Sequence, residues 1–167
     1  DGGADPRVIK TFEKVNNILM KAYENKEEPW PGKMKYRAIV WSCPAHYYAN
    51  FSNWLANCWG VNVLVEMESL NFTKPLETED KEEALRDLAR LYERMVMRRH
   101  TNGGYQNVVD ELWKQCEDWN AKLIIMYQNV ACKNMATVQG VLDDQGRERG
   151  YDLIWVEHDL MDPRTVS

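Results

Sequence analysis

The sequence predicts an α/β fold in which four parallel strands, in the order 2-1-3-4, form a doubly wound, flavodoxin-like sheet with helices on both faces. Four short runs rich in β-branched and aromatic residues alternate with segments whose apolar residues recur at helical spacing. This alternation is typical of a parallel sheet that is covered on both faces. The length of 167 residues suits one sizeable core.

The predicted strands are short apolar runs of the kind that fit a pleated surface. They cover residues 36–42, 61–67, 122–127 and 151–156. A helical pattern through Tyr47, Phe51, Trp54 and Cys58 joins the first two strands and closes at Gly60. These elements form a βαβ unit, whose crossover we expect to be right-handed.

The remaining helical patterns set the domain organisation. We predict helices over residues 5–25, 80–99 and 105–119, and another after Cys132 that ends at Gly146 or Gly150. Two prolines and a glycine within residues 27–33 disfavour both helix and strand. Residues 1–33 are therefore predicted to be a connecting helix and linker, and residues 34–167 an α/β domain.

Charge and composition exclude several classes of function. The net charge is −5 and no block of Lys and Arg stands apart from acidic neighbours, so nucleic acid is not an expected partner. No apolar run is long enough to span a bilayer, and the N-terminal residues lack the features of a signal peptide, which predicts a cytoplasmic protein with no membrane partner. The four cysteines form no CxxC pair, which disfavours a self-contained zinc site or a disulfide framework.

In doubly wound sheets, ligands bind beyond the carboxyl ends of the strands. The segments that follow the predicted strands lie at 42–46, 66–70, 128–134 and 157–164. The first lacks the run of hydroxyl and glycine residues that would cradle a flavin phosphate, and no acidic cluster typical of a phosphorelay receiver follows the first and third strands. The chain also has no GxGxxG motif and no P-loop, which disfavours dinucleotide binding and nucleotide hydrolysis.

Three residues in these segments are predicted to bind substrate. Pro44 and His46 follow the first strand and are expected to shape a pocket wall, and Glu66 ends the second strand, where a carboxylate can orient substrate or act as acid or base. Cys43 with His46 also has the composition of a nucleophile and its base, although a packed, unreactive Cys43 remains an alternative. The charged residues at 157–159 follow the fourth strand, and acidic groups there could play the same roles as Glu66. For these residues and for Glu66 and Glu68, the alternative interpretation is solvated loop charge.

Cys132 is the predicted metal ligand. It follows a buried strand through a short polar loop, and the next residues, Lys133 and Asn134, begin a helix. A thiolate is favoured at a helix N-terminus, and iron-sulfur clusters are bound by thiolates. We also predict that His46 lines the same crevice as Cys132.

The sequence resembles the D-component family of 2-hydroxyacyl-CoA dehydratases and benzoyl-CoA reductases. Asn-Val-Ala-Cys-Lys at 129–133 is followed by a helix, a strand and then Glu-His-Asp-Leu-Met-Asp-Pro-Arg at 157–164, in the order of that family's C-terminal signature. The helix that begins at Asp5 and the proline-rich linker resemble the connection between the family's two domains. The resemblance covers nearly the whole chain and implies that it is the C-terminal domain of a longer subunit.

The resemblance implies an iron-sulfur enzyme in which a 4Fe-4S cluster delivers low-potential electrons to a CoA thioester, with a second homologous subunit and an ATP-dependent iron-sulfur activator protein as partners. The substrate is either an aromatic or a 2-hydroxyacyl thioester. Cys132 matches the family's third cluster cysteine, whereas neither Cys43 nor Cys58 matches the other two, which lie in the family's preceding domain. This stretch alone is therefore expected to be inactive and without a cluster. Alternatives are a noncatalytic assembly or activator-docking subunit, or a small-ligand-binding flavodoxin-like domain.

Overall fold

The computed structural model describes residues 6–27, 34–43, 50–67 and 78–165. The chain divides into two compact units, Asp1–Lys33 with Thr73–Leu91, and Met34–Phe72 with Tyr92–Ser167. The first unit contains helix α1 (Pro6–Glu24) and most of helix α3 (Lys81–Glu93). The second contains the whole sheet.

The sheet confirms the predicted strand order and direction. Strands β1 (Tyr36–Trp41), β2 (Val61–Glu66), β3 (Leu123–Asn129) and β4 (Asp152–His158) lie in the order β2-β1-β3-β4, and all neighbouring pairs are parallel. Ile39 of β1 lies opposite Ile124 of β3, so the first and third strands are neighbours at the centre of the sheet.

One face of the sheet packs against helices α5 (Tyr105–Asp118) and α6 (Lys133–Arg149). The strands present alternate residues to this face because successive side chains point to opposite sides. The main side chains from the two central strands are Ile39, Trp41, Ile124 and Met126. The predicted apolar face of α5 is confirmed, since Val108, Leu112, Trp113 and Cys116 are all buried.

The other face is covered near β1 and β2 by helix α2 (Phe51–Trp54), which continues as a π-helical turn over Leu55–Trp59. Leu55 packs there against Val40 and Tyr127. The segment ends at Gly60, which has a left-handed φ of 70° that favours glycine. Helices on both faces are thus confirmed, although no sequence pattern indicated the π-helical turn.

Helix α6 resolves the choice between two glycines. It continues through Gly146 and ends at Arg149, where Gly150 adopts a left-handed φ of 72°. Gly146 is buried, and a Cβ there would come within 2.5 Å of Leu153 Cδ1, so the missing side chain lets the helix lie close to β4. The sequence could not separate these roles because both glycines are acceptable helix stops.

The prediction of one helix over residues 80–99 is wrong. The chain forms α3 as far as Glu93 and then a separate helix α4 (Val96–Asn102), with Met95 in an extended conformation between them. The break lets Val96 and His100 become buried, whereas the apolar residues predicted to form one face are mostly exposed; these are Leu85, Leu88, Tyr92 and Met95. The predicted loop at 101–104 also begins later, since Thr101 and Asn102 are helical.

None of the helices in the described parts of the chain combines the length and the apolar character that a membrane span requires.

Candidate functional site

The carboxyl ends of β1, β3 and β4 form a shared edge of the sheet. β3 and β4 end level with each other, because Asn129 lies opposite His158. The β1 segment that precedes this edge is fully buried from Ala38 to Trp41. Parallel strands therefore bring the segments after them together where doubly wound folds bind ligands.

Cys132 lies in a tight turn at this edge. Its backbone N–H donates to the carbonyl of Asn129 at 2.8 Å, and the Asn129 side-chain oxygen accepts from the N–H of Ala131 at 2.8 Å. The Cys132 carbonyl in turn accepts the first helical bond, from Ala136 at 3.2 Å. The residue is thus the N-cap of α6, as the sequence predicted, and its backbone is held by hydrogen bonds on both sides.

The environment of Cys132 suits a reactive or metal-binding thiol better than that of Cys116. Cys132 is half-buried and lies at the N-terminus of a helix of 17 residues, outside the apolar core. Cys116 is buried in the core, and burial raises the pKa of its thiol to about 12, with the charge of Glu117 adding to the effect. A thiolate is therefore strongly disfavoured at Cys116.

The end of β1 has an unusual conformation that β4 supports. Ser42 has a φ of 71°, a left-handed value that is uncommon for a residue other than glycine. The ring of His158 is fully buried, and its Nε2 lies 3.2 Å from the carbonyl oxygen of the next residue, Cys43. Between these two strands lies Tyr127 of β3, whose ring meets the His158 ring edge to face at 5.3 Å.

Buried polar atoms without a hydrogen-bond partner among the described residues include Trp41 Nε1, Gln128 Oε1 and His158 Nδ1. Each of the three is the last or the second-last residue of its strand, and all three strands end at this edge. An unpaired buried polar group costs roughly 1–3 kcal/mol and is retained where function or a bound molecule justifies it. Their concentration here marks this edge as the candidate site.

A buried ion-pair cluster stabilises the helices on one face of the sheet. Glu111 of α5 lies 2.8 Å from His100 Nε2 and also pairs with the guanidinium of Arg99. Burial alone would raise the pKa of the Glu111 carboxyl, but the hydrogen bond with His100 and the charge of Arg99 outweigh it and lower the pKa. The His100 ring lies 5.8 Å from that of Trp41, so this cluster supports the end of β1.

Of the predicted substrate-binding residues, the structure describes only Glu66. Pro44 and His46 lie outside the described residues, so their role and the shared crevice of His46 and Cys132 stay predictions. Glu66 is exposed at the end of β2, and one of its oxygens lies 3.5 Å from Ser52 Oγ. Nothing in the described structure tests whether Glu66 contacts a substrate.

The sequence interpretation placed His158 in the loop after the fourth strand and missed its burial. Solvated loop charge was the alternative for 157–159, but His158 belongs to β4 and is fully buried. The apolar run that predicts β4 stops at Val156, whereas the register continues to His158 opposite Asn129. His158 lies on the same face of β4 as Ile154 and Val156, but Ile154 is half-exposed, so alternation along the strand does not predict that His158 is buried.

The segment after β4 forms a compact turn. The carboxylate of Asp159 accepts from the N–H groups of Met161 and Asp162 at 2.8 and 3.1 Å. Arg164 donates to both oxygens of Asp162, at 2.8 and 2.7 Å, and this hydrogen bonding lowers the pKa of the Asp162 carboxyl. The motif Asp-Pro-Arg thus forms a turn, with Arg164 paired to Asp162, and continues into a short 3-10 helix, Pro163–Thr165.

A broad apolar groove of about 1000 Å³ lies elsewhere, on the face of the sheet that carries α2. Its lining includes Trp54, Trp59, Ile125, Ile154 and Val156, together with the residues that begin β1, β3 and β4. The groove therefore lies towards the amino ends of the strands and does not include Cys132. We place the candidate site at the carboxyl edge because polar and thiol groups converge there and not in the groove.

The described residues do not fit a complete metal site. Within them, no group of three or more His, Cys, Asp or Glu side chains is arranged to hold a metal ion. Cys132 is suited to supply one ligand, so any cluster bound here would need further thiolates from other parts of the protein.

The fold and the site define a class: a flavodoxin-like α/β domain with a thiol at a helix N-terminus, at the carboxyl edge of its sheet. The model of the family described as 2-hydroxyglutaryl-CoA dehydratase, D-component, matches residues 4–167. The chain belongs to this family, as its resemblance predicted. A search of curated proteins found no match.

Proposed function

We propose that this chain is part of a subunit of a CoA-thioester dehydratase or reductase that works by radical chemistry and receives low-potential electrons through a 4Fe-4S cluster. Membership of the D-component family supports a role in CoA-thioester chemistry. The observation that carries the finer assignment is the position of Cys132, a half-buried thiol on a rigid turn at the N-terminus of α6. We assign Cys132 as one cluster ligand, with the remaining thiolates outside the described residues.

The chain's own contribution in this proposal is placement. The turn 129–132 fixes the backbone that carries the thiol at the N-terminus of α6. The buried side chains around the ends of β1, β3 and β4 exclude water from the same edge. A CoA thioester would bind there, beyond the strand ends, with a homologous second subunit and an ATP-dependent activator protein completing the enzyme.

The assignment is tested by Cys132→Ser in the intact subunit, purified without air. We expect iron and sulfide content to fall and thioester turnover to be lost, while the thermal unfolding midpoint changes little because a half-buried turn residue supports little of the core. Cys116→Ala is the matched control. It should cost about 1 kcal/mol of stability, as small core truncations do, and leave the iron content unchanged. Wild-type iron content and turnover in Cys132→Ser would disprove the assignment.

A noncatalytic assembly or activator-docking subunit of the same family is the second candidate. It is favoured by the single suitable thiol among the described residues. The two candidates differ in iron content, because an assembly subunit would be purified without a cluster. They differ also in the effect of Cys132→Ser, which would leave the activity of the complex unchanged if the subunit is noncatalytic.

A further inference from the structure

His158 contacts two separate segments of the candidate site. Its backbone carbonyl accepts a hydrogen bond at 3.0 Å from the N–H of Val130, within the turn that leads to Cys132. Its ring reaches the other way, to the carbonyl of Cys43, which is 115 residues distant in sequence. One fully buried residue therefore connects the turn after β3 to the end of β1.

The hydrogen bond from the His158 ring shows which ring nitrogen carries a proton. A backbone carbonyl can only accept, so Nε2 of His158 must carry the proton. In the neutral ring, Nδ1 is then an acceptor, and it has no partner among the described residues. The direction of the Cys43 hydrogen bond is therefore fixed by its two atoms.

The backbone that this bond holds is strained. Ser42 has a left-handed φ of 71°, and such conformations cost on the order of 1–3 kcal/mol unless the surrounding structure enforces them. The carbonyl of the following residue is held by His158, and Ser42 is itself buried. Without the imidazole donor, the Cys43 carbonyl would lose this bond, and the chain could relax to an ordinary φ.

We propose that His158 is a positioning residue that fixes the path of the chain leaving β1 relative to the turn carrying Cys132. This inference rests on the proposed function, because the geometry it maintains is that of the thioester and cluster edge. His158 acts through the backbones of Cys43 and Val130, not by touching substrate.

The test compares two substitutions in the intact enzyme. His158→Gln keeps a donor near the position of Nε2, whereas His158→Phe keeps the ring volume and removes the donor. The first readout is the rate at which iodoacetamide alkylates Cys43, with the exposed Cys58 as the internal reference. We expect His158→Phe to raise the relative rate at Cys43 about tenfold, because local opening exposes the thiol, and His158→Gln to stay within about threefold of wild type.

The second readout is the KM for the CoA thioester. His158→Phe should raise it about tenfold at unchanged iron content, and His158→Gln should restore a value near that of wild type. Cys116→Ala is the control, since it truncates a buried side chain near the end of α5, next to the start of β3 rather than its carboxyl end. It should lower the unfolding midpoint without changing either readout.

Two results would overturn the inference: wild-type alkylation of Cys43 in His158→Phe, or equal effects of Phe and Gln at His158. If His158→Phe does not fold, Ser42→Val and Ser42→Gly replace it. Valine cannot adopt the left-handed φ without strain and should raise alkylation of Cys43, whereas glycine should not; equal rates would again overturn the inference. Alkylation does not depend on turnover, so its outcome is separate from that of Cys132→Ser.

Discussion

Glu111 is the residue in the described structure whose titration is most directly tied to stability. Its carboxylate is about one-fifth exposed and pairs with both Arg99 and His100. The ion pairs hold its folded-state pKa below the ordinary value of 4.5, so the folded protein binds a proton less readily than the unfolded chain. Glu111 therefore contributes stability above pH 4.5 that is lost as the pH falls through the lower, folded-state pKa.

We predict that Glu111→Gln lowers the free energy of unfolding at pH 7 by about 1–3 kcal/mol, because it removes the carboxylate that pairs with the Arg99 guanidinium and weakens the hydrogen bonding of the buried His100 ring. The difference from wild type should shrink as the pH is lowered below about 4.5. Urea unfolding between pH 3 and pH 7 measures it. Glu148→Gln, an exposed change on α6, is the control and should stay within about 0.5 kcal/mol of wild type. A difference between Glu111→Gln and wild type that grows in acid would contradict this account.

The surroundings of a residue could be predicted from the sequence only where neighbouring residues in the chain determine them. Cys132 could be predicted because a strand, a polar turn and a helix start are all local signals, and the N-cap position is as expected. His158 could not, because its burial depends on Tyr127 and on a bond to Cys43 that is distant in sequence. Functional residues placed by such long-range contacts have no local pattern.

At the scale of single elements, α6 carries the predicted thiol and contains glycines in contrasting settings. Gly150 ends the helix with a φ of 72°, whereas Gly140 is exposed within the helix and has open space where a Cβ would lie. A side chain at position 150 would be strained by the left-handed φ. A side chain at position 140 would fit the helix and would reduce the conformational freedom of the unfolded chain.

We predict opposite effects of the same substitution at these two positions. Gly150→Ala should lower the free energy of unfolding by about 1 kcal/mol, because alanine pays a steric cost in the left-handed region. Gly140→Ala should raise it by roughly 0.5–1 kcal/mol through better helix propensity. Urea unfolding of both variants measures the difference. A stabilising Gly150→Ala would show that the helix end can adopt another conformation.

Helix boundaries illustrate what periodicity can and cannot predict. The pattern over 80–99 is continuous, yet the helix breaks at Met95, and in the new helix Val96 and His100 are buried and His100 bonds to Glu111. Tertiary packing overrides local propensity in this way whenever the buried contacts are stronger. The π-helical turn at Leu55–Trp59 is another such case, since no residue type specifies it.

At the scale of the whole molecule, the strand order followed from the sequence because few topologies are open to a right-handed alternation of strands and helices. The same topology explains which part of the sheet the described helices of this unit leave uncovered. The connections from β2 to β3 and from β3 to β4 both run in the same direction across the sheet, so α5 and α6 cover the same face. The opposite face over β3 and β4 carries the apolar groove.

Because the described helices cover the two faces of the sheet unequally, we predict different effects of truncating two isoleucines on neighbouring strands. Ile125 of β3 and Ile154 of β4 are paired in register and line the same groove, but Ile125 is 2% exposed and Ile154 is 50% exposed. Truncation of a buried isoleucine removes packed contacts and leaves a cavity, whereas a half-exposed side chain loses less. Ile125→Ala should therefore lower the free energy of unfolding of the 167-residue chain by about 3 kcal/mol, and Ile154→Ala by less than about 1 kcal/mol. Denaturant unfolding of the two variants measures both values. Equal losses would mean that the β4 side of this face is covered in solution, which would contradict the bare half-face derived from the topology.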